Sequence, residues 1–266
     1  MTPPSAPSDP NPSRSEPSRL LAAAASAAGA LVLWELAARS GLYPPHLFPP
    51  PSAVARELVS YASSGELASD LLASGRRWAA GLALGAVLGA LAGLVTGAWR
   101  PARLTASPLL HLVRAVPFMM LVPLSLLWFG LGEASKILVT AWGAFFPVWL
   151  STEAAVLGVE REYVWAARTL GADGTRLWRE VHWRRCLPGV ATGARLAVAT
   201  AMFALAAIEM IGSFDGVAFR AFYAYQNFQS EKMMACIVVV GAAGLALDRA
   251  FVAAARALLP WREEEE

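Results

Sequence analysis

Six apolar stretches separated by polar segments dominate the chain: residues 20–38, 78–99, 107–131, 137–152, 187–214 and 233–259. As helices rising about 1.5 Å per residue, they approach or match the roughly 30 Å hydrocarbon core of a bilayer. Lipid leaves backbone polar groups no partner outside the segment, so the pattern predicts an all-α polytopic membrane protein with about six transmembrane helices, filling a domain from 19 to 260. Segment 78–99 carries no charge, and Gly81, Gly85, Gly89, Gly93 and Gly97 recur at every fourth position. These glycines make a smooth groove where another helix can approach closely. Packing within the subunit is its expected use, with a dimer seam as the alternative. Pro117 and Pro123 interrupt segment 107–131, which should therefore be kinked or broken. Such helices line translocation paths, and they arise equally from packing.

The polar segments have their own patterns. Residues 1–18 are rich in Pro and Ser and are expected to be a disordered tail, and no signal peptide is expected, because a long Pro-rich tail stands in place of the charged n-region and no clear small-x-small cleavage site follows the apolar run. Between 39 and 77, Pro44, Pro45, Pro49, Pro50 and Pro51 impose extended backbone. Ser52 is then expected to cap a short helix carrying Val54, Leu58 and Tyr61 on the outer membrane surface. Residues 215–232 read as an outer loop, and 261–266 as a solvated acidic tail.

A polar island at about 160–186 lies between two apolar segments and holds Arg161, Arg168, Arg176, Arg179, Arg184 and Arg185. Tyr163, Ala166, Ala167 and Leu170 follow the i, i+3, i+4, i+7 spacing of one helix face. Gly171 is placed to end that helix, and Asp173 to cap a second, in which Leu177, Trp178, Val181 and His182 form a stripe beside Arg176, Arg179 and Arg184. Helix, glycine corner and helix make an elbow whose small alanines admit a partner surface and whose arginines offer forked donors to its carboxylates. An ordinary amphipathic loop would show the same periodicity.

Composition narrows the class. The chain is 56% hydrophobic and 16% charged, more apolar than soluble domains. A net charge of +2 gives no reason to expect a nucleic acid. The basic residues are unevenly placed: twelve (Arg14, Arg19, Arg100, Arg103, the island's six, Arg256, Arg262) fall on one side of the spans. Seven (Arg39, Arg56, Arg76, Arg77, Lys136, Arg220, Lys232) fall on the other, so the positive-inside rule puts both termini and the island in the cytoplasm. Cys186 and Cys236 are expected near opposite membrane faces and unpaired, and no His/Cys spacing suggests a metal. No phosphate-binding loop and no Ser, His and Asp motif is present, so the chain is expected to be no enzyme. Glu209 is the ionisable group of most interest at membrane depth: either a gating or paired charge, or one that reaches the interface. Glu35 and Asp248 read as helix-end charges paired with arginines.

The island resembles the EAA loop of permease subunits of bacterial ABC importers, whose pattern is Glu-Ala-Ala, three residues, Gly, nine residues, an aliphatic residue, any residue, Leu-Pro. Ala166, Ala167, Gly171 and Val181 match it. Trp165 replaces the Glu, Trp183 and Arg184 replace the Leu-Pro, and Leu187 and Pro188 supply that pair four residues late. Glu153, Ala154 and Ala155 are a decoy, since Gly158 follows one residue too soon. The runs 128–137 (WFGLGEASKI) and 143–147 (GAFFP), with 51–54 (PSAV) and Glu209-Met210, resemble the nitrate, sulfonate and taurine branch, over roughly residues 45–258. The resemblance implies the type I importer permease fold and a bacterial inner-membrane location. It implies ATPase coupling through Trp165, Ala166, Ala167, Arg168, Gly171, Ala172, Asp173, Arg176, Leu177, Arg179 and Val181, with Pro117, Pro123 and Glu209 as substrate or gating candidates. The implied partners are two ATPase subunits, which carry the ATP and Mg while this chain binds no cofactor, a second permease subunit as a homodimer, an extracytoplasmic solute-binding protein, and membrane lipid. A degenerate half of a heterodimeric permease and an ATPase-independent secondary transporter are the alternatives.

Overall fold

The structure is a computed structural model that describes residues 16–42, 44 and 47–258. The tail through residue 15, Pro45, His46 and the acidic tail lie outside the described residues. Every regular element among them is helical: α1 (Glu16–Arg39), α2 (Pro51–Ser63), α3 (Glu66–Ala98), α4 (Arg100–Arg114), α5 (Phe118–Phe129), α6 (Glu133–Leu157), α7 (Arg161–Thr169), α8 (Gly174–Leu177), a π-helical turn (Trp178–His182), α9 (Trp183–Gly212), α10 (Val217–Gln226) and α11 (Ser230–Leu258). Among them α3, α6, the continuous run Gly174–Gly212 and α11 are long and apolar enough to cross a membrane. The α4–α5 pair is long and apolar enough when taken together, but it bends by 94° at its break, as a broken span or a re-entrant loop does. α1 covers the first apolar segment and exposes Leu31, Val32, Leu33 and Leu36, as a lipid-facing helix does.

α6 is the central helix, packed between α3 and α9. The α3 glycines are the reason it lies so close. A Cβ on Gly93 would sit 2.6 Å from Thr152 Cβ and 2.7 Å from the Trp149 carbonyl, and one on Gly97 would sit 2.6 Å from Val156 Cβ. The groove therefore serves packing inside the subunit. The opposite face of α6 meets α9 in the same way, with Gly143 against Ala204 and Gly193 against Ser151. Ala144, Val148, Ala197 and Ala201 form the core between them. Trp149 is fully buried there, and its indole N–H donates to Thr96 Oγ1 at 3.1 Å, which satisfies a polar group that lipid could not.

Several elements differ from the sequence pattern, each for a local reason. α3 starts at Glu66 rather than Trp78, because its first turns carry charges that are neutralised by neighbours. Segment 107–131 is two helices: Pro117 disfavours helical backbone at Val116 and itself becomes the N-cap of α5, whereas Pro123 sits inside α5. The run 215–232 is not a simple loop but contains α10. Ser52 does not cap α2, whose N-cap is Pro50. Instead Glu35 of α1 caps that helix, accepting the Ser52 N–H at 3.0 Å and its hydroxyl at 2.8 Å while pairing with Arg39. Asp248 pairs with Arg195 at 2.9 Å, tying α11 to α9. Glu153 is buried and accepts the Ser107 hydroxyl at 2.7 Å, so it ties α4 to α6.

Candidate functional site

One face of α3 changes chemistry along its length. Asp70, Ser74 and Arg77 precede Gly81 at helical spacing, so the stripe that is glycine in the middle of the bundle is polar at its start. Arg77 is 3% exposed and gathers three acids from three places. Its Nε and one terminal nitrogen form a fork onto Glu133 at the start of α6, at 2.9 and 2.7 Å. The other nitrogen donates to Glu209 of α9 at 3.0 Å, to Ser213 and to the Asp215 carbonyl, and the Asp215 carboxylate completes the set. A planar guanidinium with five N–H donors suits such a junction, whereas an ammonium would not. Arg77 holds the Asp215 carboxyl below the usual carboxylate range.

Glu209 is 1% exposed, so it does not reach the interface; it is a buried paired charge. Besides Arg77 it accepts the Ser74 hydroxyl, whose oxygen lies 2.8 and 2.9 Å from the two carboxylate oxygens, and the Ala218 N–H at 3.3 Å. Gly216 passes directly over it with φ +107, where a Cβ would come within 2.7 Å of the carboxylate carbon. A second cluster is centred on Asp70, which accepts the Tyr61 hydroxyl at 2.6 Å, the Gly216 N–H at 3.0 Å and Arg220 Nε at 2.9 Å. Burial, reinforced by Asp70, pushes the Tyr61 hydroxyl pKa up, and the hydrogen bond to Asp70 raises that of Arg220. Together the clusters lock the first turns of α3 to α2, α6, α9 and α10. A cavity of about 400 Å³ opens beneath them between α3, α9, α10 and α11. Its walls are apolar, among them Leu71, Trp78, Leu205 and Val239, with Ser74 and Glu209 as its polar edge.

At the far end of α9 lies the elbow. α7 ends in a Schellman turn: the Ala172 N–H reaches the Ala167 carbonyl and the Gly171 N–H the Arg168 carbonyl, both at 2.9 Å. Gly171 takes φ +81 there, which is the conformation its position requires. Asp173 occupies the N-cap of α8, but its side chain makes no capping bond; its carbonyl instead accepts from Arg176 and Leu177. Ala172 and Leu177 are buried and Ala167 and Val181 half-buried, so this chain's own packing uses them. Trp165, Ala166, Arg168, Arg176 and Arg179 are exposed, with Arg176 paired to Glu180 at 3.1 Å. The α7 stripe faces outward, with Leu170 84% exposed and Tyr163 covered only partly by Arg185 at 3.6 Å.

The structure does not bring the remaining candidates to this region. Pro117 and Pro123 are exposed on the α4–α5 side and do not line the cavity with Glu209. Asp70, Ser74, Arg77, Glu133, Asp215 and Arg220 escaped the sequence reading. The signal was the continuation of the glycine stripe into Arg77, Ser74 and Asp70, which places these groups on the same packed face. Among the described residues no group of three or more His, Cys, Asp or Glu could hold a metal, and both cysteines are free and buried.

A bundle of membrane-spanning helices, closed by buried ion pairs at one end and carrying an exposed elbow at the other, is the architecture of a multi-pass transport subunit. Residues 85–261 match the family described as "Binding-protein-dependent transport system inner membrane component", and the chain belongs to that family. It is a non-catalytic permease component of an ABC importer. It is similar to SsuC of Bacillus subtilis (strain 168), named as a permease protein for aliphatic sulfonates transport. The two are 33% identical over 236 residues, 89% of this chain and 86% of that protein. TauC of Escherichia coli (strain K12), a taurine transport system permease protein, is 30% identical over 239 residues, 88% of this chain and 87% of its own. An ABC transporter permease protein of Methanocaldococcus jannaschii is 33% identical over 225 residues, 83% and 84% of the two chains.

Proposed function

We propose that the chain is the translocating subunit of an ATP-driven importer in the bacterial cytoplasmic membrane, working as a homodimer with two ATPase subunits and a solute-binding protein. The solute is a small anion of the sulfonate kind, a reading supported by the names of the relatives SsuC and TauC. Both termini and the elbow face the cytoplasm, and the Arg77–Glu209 cluster lies on the outer side. The observation that carries the mechanism is continuity: α8, the π-turn and α9 run as one helix from Gly174 to Gly212, 39 residues or roughly 58 Å. One end is the elbow and the other carries Glu209. Closure of the ATPase pair on ATP displaces the elbows, and the helix delivers that displacement to the outer cluster. Each partner acts by favouring one of two arrangements. Trp165, Ala166, Arg168, Arg176 and Arg179 form the contact with the ATPase, held by the Gly171 corner and the exposed Asp173 next to it, with Ala167, Ala172, Leu177 and Val181 beneath. Pro117 and Pro123 give the broken span by which α4 and α5 follow the path.

The test is purification of the complex from the native membrane, with every subunit identified by mass spectrometry. A phosphate-loop ATPase, a solute-binding protein and a single permease species are expected. Absence of an ATPase under conditions that preserve membrane complexes would overturn the proposal. A second permease with the full Glu-Ala-Ala motif would make this chain one half of a heterodimer.

A further inference from the structure

The polar residues of α4 fall in one line. Arg100, Arg103, Ser107, His111 and Arg114 follow one another at steps of three or four residues, so they share a stripe of the helix. Leu109, Leu112 and Val113 form the opposite face and are exposed. The stripe leads into the bundle. Ser107 is buried and donates to Glu153 of α6, and the His111 ring lies 5.0 Å from that of Trp149, one turn closer to the middle of α6. Trp149 precedes the end of α6 at Leu157 by two turns, or about 12 Å at 1.5 Å per residue.

Arg114 ends the stripe, at the 94° bend between α4 and α5. It is exposed, and among the described residues no carboxylate pairs with it. Arg77, Arg195 and Arg220, by contrast, are each matched by carboxylates of neighbouring elements. A guanidinium keeps its charge, so at membrane depth it needs an acid, water, or a reach along lipid to the surface. The stripe decides among these. An arginine that reaches out along lipid lays its stem over apolar neighbours, whereas His111, Ser107, Arg103 and Arg100 lie beneath Arg114. A polar line that continues past the level of Trp149 is the wall of a water-filled passage. Arg77 would have to give up a carboxylate to take an anion, and Arg114 has none to give up. One hydrated guanidinium also binds weakly enough to let its ligand go, which a passage requires.

We infer that Arg114 is the contact for the transported anion, holding a sulfonate by the forked hydrogen bonds that a guanidinium offers to planar oxygen pairs. This rests on the importer reading above and gives its solute a residue. The purified complex in lipid nanodiscs tests it, with His111→Cys as the reporter, read on this chain by mass spectrometry. The native Cys186 and Cys236 are buried and stay silent. Two thiosulfonate reagents of similar size are compared, one bearing a sulfonate anion and one a trimethylammonium cation. Relative to a free thiol, the reporter should favour the anionic reagent about tenfold, as in a cleft lined by positive charge. Millimolar ethanesulfonate should slow that reaction. Adding Arg114→Gln should abolish both the preference and the competition, and Arg114→Lys should keep part of each. The melting temperatures should match, because no bond within the chain is lost.

A reporter that reacts with neither reagent faces lipid or protein, and overturns the inference. So does a preference that Arg114→Gln leaves unchanged, an absence of competition by ethanesulfonate, or a lower melting temperature in Arg114→Gln. Leu110→Cys, one turn below Arg114, gives the same comparison if His111→Cys does not assemble. If the complex contains its ATPase in those cases, the importer reading stands and only the anion contact is lost; if it contains none, both fall.

Discussion

Replacing Arg77 by Met tests whether the ion-pair cluster at the start of α3 holds the bundle together. The change keeps most of the side-chain stem and removes every hydrogen bond the guanidinium makes to Glu133, Glu209, Ser213 and Asp215. Glu133 and Asp215 are about half exposed, so water replaces much of what they lose. Glu209 is different: at 1% exposure it keeps only Ser74 and the Ala218 N–H, and its charge is stranded. Removing one partner of a buried pair costs about 3–5 kcal/mol. Glu209→Gln should cost less, about 1–3 kcal/mol, because Arg77 retains two acids and only a polar contact is degraded. In the double variant no charge is stranded, so the two effects should fall short of additive by about 2 kcal/mol, within the range for residues in contact. Denaturant titration of the purified protein in mixed micelles, followed by tryptophan fluorescence, gives all four corners of this cycle. Additivity within about 0.5 kcal/mol, or a cost below about 1 kcal/mol for Arg77→Met, would refute the reasoning.

Gly93→Val should prevent α3 from seating on α6, since the new Cβ meets Thr152 Cβ at 2.6 Å and the Trp149 carbonyl at 2.7 Å; loss of the monodisperse species on size exclusion is expected. Gly75→Ala, where nothing lies within 4 Å, should be neutral or stabilising by about 0.5–1 kcal/mol in the same assay. Gly171→Val puts a β-branched residue at φ +81 and should distort the elbow while leaving the spans inserted, so ATP hydrolysis in reconstituted complexes should no longer track uptake; coupled transport in this variant would count against the corner. The Asp215 carboxyl is depressed by Arg77, so its stabilisation is fully present above the ordinary carboxyl value of about 4 and is lost as pH falls through the lower folded value. Melting temperatures of the wild type and Asp215→Asn should therefore differ at neutral pH and converge in acid, and a gap that persists at the acid end would contradict the assignment.

The reading of Glu209 shows where a sequence stops being informative. Its position near the end of an apolar segment is equally consistent with a side chain that reaches water and with one that is buried and paired. The choice depends on Arg77, more than a hundred residues earlier, and on a backbone corner at Gly216 that only the fold places over the carboxylate. The glycine groove of α3 is the contrary case. A small residue at every fourth position of an apolar helix dictates close approach of another helix, and the structure supplies only the identity of that helix, α6. The elbow falls between these. Gly171 announced the corner through the one backbone conformation that favours it. Asp173 misled as a side-chain cap because its backbone carbonyl meets the need, and the α7 stripe faces outward because α7 lies beside the bundle rather than within it.

By itself the sequence determined the class and material of this protein: long apolar segments in a chain with few charges must be membrane helices, because lipid offers backbone groups no other partner. It also determined where helices touch closely, through glycine, and where the chain turns, through glycine and proline. The tertiary structure alone decided the pairing of charges, because an ion pair between α3 and α9 has no local signature. It decided as well the folding of 215–232 into α10 and the fusion of the elbow with α9 into one continuous helix. α10 is held at its start by Asp70 and Glu209, far away in sequence, whereas α9 runs into the elbow through a π-helical turn at Trp178–His182 and keeps Pro188 inside the helix.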